Sequence, residues 1–300
     1  MPGTAATSLR RAEQLAAPLP PLLVAAQRIA ATVLPGLHGR RRAGPGNDFW
    51  QFRPYQWGDA PQQIDWRQSA RSERLYLRER EWAAAQSVYL WCDASASMRW
   101  HSMPDLPPKH ERAELLALAL ASLLARAGER FADLTSGVAP GTGRVALERL
   151  ALILRRRQAG DSLPAFRLLP HHARLVLFGD FLSPLAEIEA LLRRFAERGL
   201  GGHLIQILDP AEETFPFTGR VHFEGVEDEG GLLVSGLLVS RAEALGPAYA
   251  ERLAAHRRGL ADLARGLGWT FASTRTDRPA AATLLALYLR LQERATIGAS

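Results

Sequence analysis

The chain is poor in cysteine and lysine, and no apolar run at its N-terminus is long enough to cross a bilayer. Cys92 is the single cysteine among 300 residues, so no internal disulfide can form, and its place inside an apolar run marks a buried thiol in a reducing compartment. Lys109 is the single lysine, which leaves arginine to carry nearly all the positive charge behind a net +6 and a pI of about 10.2. A composition this rich in Ala, Leu and Arg is what a G- and C-rich genome produces, so the high pI alone does not point to nucleic acid. The basic runs Arg40–Arg42 and Arg155–Arg157 are short. Pro18, Pro20 and Pro21 break the first apolar stretch, and Gln27 and Arg28 break the next. We therefore expect no secretory signal or membrane span there, and a cytoplasmic protein. There is no phosphate-binding glycine loop with its lysine, His171 and His172 have no metal-ligand spacing, and helix-start or surface roles account for His101 and His110. The absence of a fixed-period repeat excludes a solenoid.

What is present is an ample apolar fraction, 47%, and a change of character along the chain. Residues 1–20 read as a tail. Leu22, Ala26, Ile29 and Val33 fall at helical spacing and predict an amphipathic helix packed on the domain. A Gly- and Arg-rich loop from His38 leads into an aromatic stretch through Tyr55, Trp57 and Trp66. Beyond it, β and α patterns alternate. Strands are expected near Ser87–Cys92, Phe131–Leu134, Leu175–Gly179, His203–Leu208 and Trp269–Ser273. Helices are expected over Glu111–Ala127, Val145–Arg156, Leu185–Arg198, Ala248–Leu267 and Ala280–Arg294, with an irregular or hairpin region at about 215–240. This alternation predicts an α/β fold, a doubly wound and mainly parallel sheet with helices on both faces.

In such sheets ligands gather at the carboxyl ends of the strands, and here aspartate recurs at those ends. Asp93 follows the first strand, Asp180 the LVLFG run, Asp209 the LIQIL run, and Asp277 comes shortly after WTFAS. Asp209 precedes Pro210, Glu212 and Glu213, as a helix cap does, and Asp277 precedes Pro279; both read as mainly structural. Asp180 differs, because Ser183 and Pro184 already supply a helix start and leave the carboxylate to face a ligand. Asp93, Ser95 and Ser97 place three oxygen-bearing side chains two residues apart. A hard divalent ion such as magnesium or manganese takes ligands of this kind, although a turn in which Asp93 bonds its own backbone also explains the run.

The Asp-x-Ser-x-Ser strand end, with a later strand ending in Asp, resembles the von Willebrand factor A-like fold. In that family these residues form the metal-ion-dependent adhesion site. The resemblance assigns Asp93, Ser95 and Ser97 to the first metal loop, Asp180 to the third, and a threonine to the second: Thr142 in APGTGR, or alternatively Thr135. Ahead of this domain, NDFWQFRPYQWGDAPQQIDWRQSARSERLYLREREW closely resembles the signature of a bacterial family called domain of unknown function 58. Its block is Gly58, Asp59, Ile64, Asp65 and Trp66, followed by Ala70, Arg71 and the run Arg78–Glu81; Gln62 or Gln63 stands where a basic residue is often found. Physically, Asp59, Asp65, Arg67, Arg71, Arg78 and Arg80 could form an ion-pair network fixing the arm, with Trp50, Trp57 and Trp66 burying area; a partner groove is the other reading.

The expected organisation is a tail at 1–20, a helix and signature arm at 21–84, and a von Willebrand factor A-like domain at 85–296. The resemblance implies a non-catalytic, metal-dependent protein-interaction module. In it a partner's acidic side chain fills an open coordination position on Mg2+ or Mn2+, beside a MoxR-type AAA+ ATPase that assists assembly or maturation of other proteins. Two alternatives are a metal-dependent hydrolase, a phosphoesterase or nuclease, and a scaffold with a degenerate metal site. No Ser, His and Asp arrangement for nucleophilic catalysis can be assembled, and Ser95 and Ser97 are better used as ligands.

Overall fold

The computed structural model describes residues 20–37, 49–54, 69, 76–80, 87–157, 160–171, 173–225 and 236–297. The chain divides into two compact units, residues 39–86 and the remainder. In the smaller unit, β1 (Phe49–Pro54) and β2 (Tyr76–Arg80) pair antiparallel, with an irregularity between Phe49 and Gln51. Asp59, Asp65, Trp66, Arg67 and Arg71 lie outside the described residues, as does most of the signature block.

The larger unit begins with α1 (Pro20–Leu37) and continues with β3 (Ser87–Cys92), α2 (Lys109–Arg126), β4 (Arg130–Asp133), α3 (Gly143–Arg156), β5 (Arg174–Gly179) and α4 (Leu185–Ala196). It is completed by β6 (Gly201–Leu208), α5 (Pro210–Thr214), the antiparallel pair β7 (Val221–Phe223) and β8 (Leu237–Val239), α6 (Gly246–Gly266), β9 (Thr270–Arg275) and α7 (Ala280–Ile297). Five strands form one parallel sheet in the order β4-β3-β5-β6-β9. Strand and helix boundaries fall within a few residues of those the periodicity predicts.

Alternation along β3 explains the layering. Val88, Leu90 and Cys92 enter one core with Val176, Phe178, Ile205 and Ile207, against side chains of α1, α2, α3 and α7. Tyr89 and Trp91 enter the other with Leu175, Leu177 and Leu204, against α4 and α6. A parallel strand covered on both faces reads as a continuous apolar run, as SVYLWC does. Ala26, Ala30 and Val33 of α1 are buried in the first core, so the helix lays its small-residue stripe on the domain. Cys92 is buried as expected, and burial pushes its thiol well up, out of the range of a reactive thiolate. Among the described residues no helix is long and apolar enough to cross a membrane.

Candidate metal centre

The carboxyl end of the sheet is built from the loops that leave β3, β5 and β6. Backbone pairing runs one residue past β3, where the Asp93 N–H donates to the Phe178 carbonyl at 2.7 Å, so Asp93 is held rigidly although it begins a loop. Its Oδ1 accepts the Ser95 N–H at 2.8 Å, an Asx turn that curls the chain over the strand end. A short 3-10 turn, Ser97–Arg99, follows, pinned by the fully buried Met98. The turn therefore exists, and it also gathers the hydroxyls: Ser95 Oγ lies 3.2 Å from Ser97 Oγ. Ser97 Oγ in turn donates to Asp180 Oδ2 at 2.6 Å, across 83 residues of sequence.

Asp180 is placed by its neighbours on every side. Gln206 on β6 donates to the Asp180 carbonyl at 2.9 Å. The next residue, Phe181, takes a left-handed backbone, φ 50°, rare for a bulky residue, with its ring buried in the second core. His256 of α6 donates to the Phe181 carbonyl at 2.6 Å and secures that bend. Residue 179 must be small: a Cβ on Gly179 would stand 3.0 Å from both Cβ and Oδ2 of Asp93. The helix start behaves differently from expectation. Ser183 does not cap α4, whose cap residue is Pro184 with no side-chain bond; Ser183 Oγ instead meets Ser162 Oγ at 2.9 Å.

The residue that sequence reasoning missed is Lys109. Set aside there for lack of a phosphate loop, it is fully buried, with its ammonium 2.9 Å from Asp180 Oδ2 and 2.5 Å from Glu212 Oε1. Burial works against the charge, yet Asp180 and Glu212 outweigh it and hold the Lys109 pKa above its ordinary value. A signal was available. Lys109 opens α2, where the helix dipole disfavours a cation, so the chain's only lysine at that position needs a carboxylate partner. Asp209 is a cap, as its sequence context suggested: its Oδ1 accepts the Ala211 N–H at 2.8 Å and Glu212 Oε2 accepts its own N–H at 2.8 Å. Its Oδ2 accepts the Ser102 N–H at 3.0 Å and so ties down the loop after β3. Asp277 pairs with Arg275 at 2.5 Å, a structural role.

Neither threonine candidate joins the cluster. Gly141 bridges antiparallel to Phe131, so the chain turns back along β4 and brings Thr142 opposite the start of that strand, where Arg130 is paired with Ser87. From Ser87 to Asp93 is six residues of extended chain, or about 20 Å at roughly 3.3 Å per residue. Thr135 is committed elsewhere, donating to Asp133 Oδ2 at 2.8 Å and accepting from Arg157 at 2.7 Å. The strand end is reached instead by the chain after α3. Arg157 donates to the Cys92 carbonyl, the Gly160 N–H donates to the Ala94 carbonyl at 3.2 Å, and Ser162 contacts Ser183.

Of the four residues expected in the first and third loops, Ser95, Ser97 and Asp180 meet side chain to side chain, and Asp93 joins them through the Ser95 N–H. Their donors are all oxygen, the set a hard divalent cation prefers. The cluster sets three carboxyl groups, those of Asp93, Asp180 and Glu212, against the one ammonium of Lys109, although burial pushes the Glu212 pKa up. On both counts the residues fit magnesium or manganese. Among the described residues no cluster of three or more His, Cys, Asp or Glu has metal-binding geometry, in keeping with a set that is half serine.

Comparison with known proteins adds a family. The pattern of the family described as "Protein of unknown function DUF58" matches residues 51–259. Uncharacterized protein Rv1480 of Mycobacterium tuberculosis and uncharacterized protein Mb1516 of Mycobacterium bovis are each 29% identical over 283 residues, covering 88% of this chain and 86% of theirs. Among solved structures, a conserved hypothetical protein BatB from Bacteroides thetaiotaomicron superposes with a TM-score of 0.36 at 11% identity, over 69% of this chain and 99% of that one. An aerotolerance-related membrane protein from Bacteroides fragilis gives 0.38 at 10% identity, with the same coverage of both chains.

Proposed function

The chain belongs to the DUF58 family, and from its strand-end cluster we propose that it is a metal-dependent protein-interaction module of von Willebrand factor A-like type. The observation that carries this reading is the 2.6 Å bond from Ser97 to Asp180, which unites the oxygens of two loops at the carboxyl end of one parallel sheet. Asp93, Ser95, Ser97 and Asp180 would hold magnesium or manganese. When bound, such an ion offers a coordination position that a carboxylate of a partner protein can fill. Asp93 and the Asx turn preset the hydroxyls, so little ordering is left for the moment of binding. By resemblance, the partner machinery is a MoxR-type AAA+ ATPase acting in assembly or maturation of other proteins.

Calorimetric titration of manganese into the wild type and Asp93→Ala tests this directly, with circular dichroism confirming that the variant is folded. The wild type should bind one ion and the folded variant should lose binding by more than about tenfold, the scale on which changes around a metal's ligands act. Identical titrations would sink the reading.

A further inference from the structure

Building on that metal-dependent reading, we propose that Lys109 is the built-in cation of this site, which holds Asp180 when no divalent ion is bound and sets how tightly one binds. Three observations carry it. The ammonium is fully buried and reaches Asp180 Oδ2 at 2.9 Å, the same oxygen that accepts from Ser97 at 2.6 Å. It is therefore in contact with the carboxylate that joins the two metal loops. It is shared with Glu212 at 2.5 Å, on a helix that contributes none of the four ligands, so it has a second anion on which to rest when Asp180 is drawn toward an ion. Finally, two prolines, Pro107 and Pro108, lead directly into α2 and fix the lysine at its first turn, where the dipole opposes it.

The physical consequence follows from like charges at short range. A second cation within a few ångströms of Lys109 is repelled by it, and in a buried site that repulsion is weakly screened. Lys109 thus lowers the affinity for a divalent ion, keeps Asp180 paired in its absence, and links metal entry to α5 through Glu212. The set of side chains works as a shared anionic site for two cations, of which one is covalently part of the chain.

Because Lys109 is the only lysine, a protein labelled with [ζ-15N]lysine gives one side-chain ammonium resonance, and the test can be made on the unmutated chain. Magnesium should shift that resonance, and manganese should broaden it at stoichiometric concentration. In parallel, manganese affinity is measured for Lys109→Met and Lys109→Arg. Loss of the charge should tighten binding by roughly tenfold or more, whereas Arg should leave it near the wild-type value. If the wild type binds manganese but the ammonium resonance is untouched, the inference is overturned and the metal reading survives. If the wild type does not bind and Lys109→Met does, the metal reading fails for the natural chain and Lys109 is its permanent occupant, which upholds the inference. If neither binds, both fall.

Discussion

Asp133 ends β4 and Asp180 directly follows β5, the two strands that flank β3, and both are buried. They are the same residue type on either side of one strand, Asp133 level with Leu90 and Asp180 two residues beyond Phe178, which is level with Cys92, and their surroundings differ in kind. Asp133 is saturated: Arg157 reaches its Oδ1 at 2.6 Å, and its Oδ2 accepts from the Thr135 N–H, the Thr135 hydroxyl and the Ser136 N–H at 2.7 to 2.9 Å. Asp180 meets a serine that is itself a candidate ligand, a lysine divided between two acids, and a single long backbone donor, the Leu182 N–H at 3.4 Å from its Oδ1. A strand-end carboxylate becomes a structural clamp when a planar guanidinium and backbone donors exhaust its lone pairs. It stays available for ligand chemistry when its partners are shared or exchangeable.

The strongest way to break that distinction is to remove the clamp. Asp133→Ala takes the carboxylate from Arg157, whose side chain is only 15% exposed and keeps just the Cys92 carbonyl and the Thr135 hydroxyl, and leaves two backbone donors without their acceptor. Loss of one partner of a buried pair costs about 3–5 kcal/mol, which urea denaturation resolves easily. Manganese titration of the variant, at a temperature where it is still folded, should match the wild type. A loss of metal binding larger than the loss of stability would show that the two strand ends are one site.

A smaller effect tests the other side of the comparison. Gly179→Ala introduces a Cβ 3.0 Å from Asp93 Cβ and Oδ2, tighter than an ordinary contact, so the Asp93 side chain must give way. Overpacking of this sort costs about 1–3 kcal/mol. Here its first victim is the Asp93 carboxylate, so manganese affinity should fall along with the denaturation midpoint. Unchanged affinity in the destabilised variant would remove Asp93 from the ligand set.

How much of this was legible in the sequence depended on whether the signal was local. The β3 run and its Asp93-x-Ser95-x-Ser97 end form one contiguous pattern, and both the strand and the convergence of its oxygens could be anticipated from it. Asp180 was legible as a strand-end residue, though the reason given for its freedom, a cap from Ser183, does not hold. Thr142 was misread because a single antiparallel bridge, Gly141 to Phe131, reverses the chain there, and no local pattern announces a bridge to an edge strand. Arg157 was hidden for a related reason. As the last of three arginines it looks like a solvated helix end, and only its reach to Cys92 and Asp133, 65 and 24 residues away, makes it structural. Asp133 itself was passed over, because the expected strand ran one residue past it.

The finest comparison lies within α5, where adjacent glutamates face opposite ways. Glu212 points inward to Lys109, while Glu213 points outward to Arg257 at 2.6 Å and Arg275 at 3.2 Å, with about a third of its side chain exposed. Burial works against the Glu213 charge, but hydrogen bonds and attraction from Arg257 and Arg275 outweigh it and hold its pKa below the ordinary 4.5. A carboxyl with a depressed folded-state pKa stabilises the fold above that ordinary value and loses its contribution as pH falls through the depressed one. Solvent screening keeps the contribution under about 1 kcal/mol. Glu213→Gln should therefore lower stability slightly at pH 7, by an amount that fades as the pH falls below the ordinary carboxyl range and shrinks in high salt. Metal affinity should not change, because the pairing is on the outer face. A Glu213→Gln variant that altered manganese binding would mean that the two faces of α5 act together, and that Glu212 is not the boundary of the site.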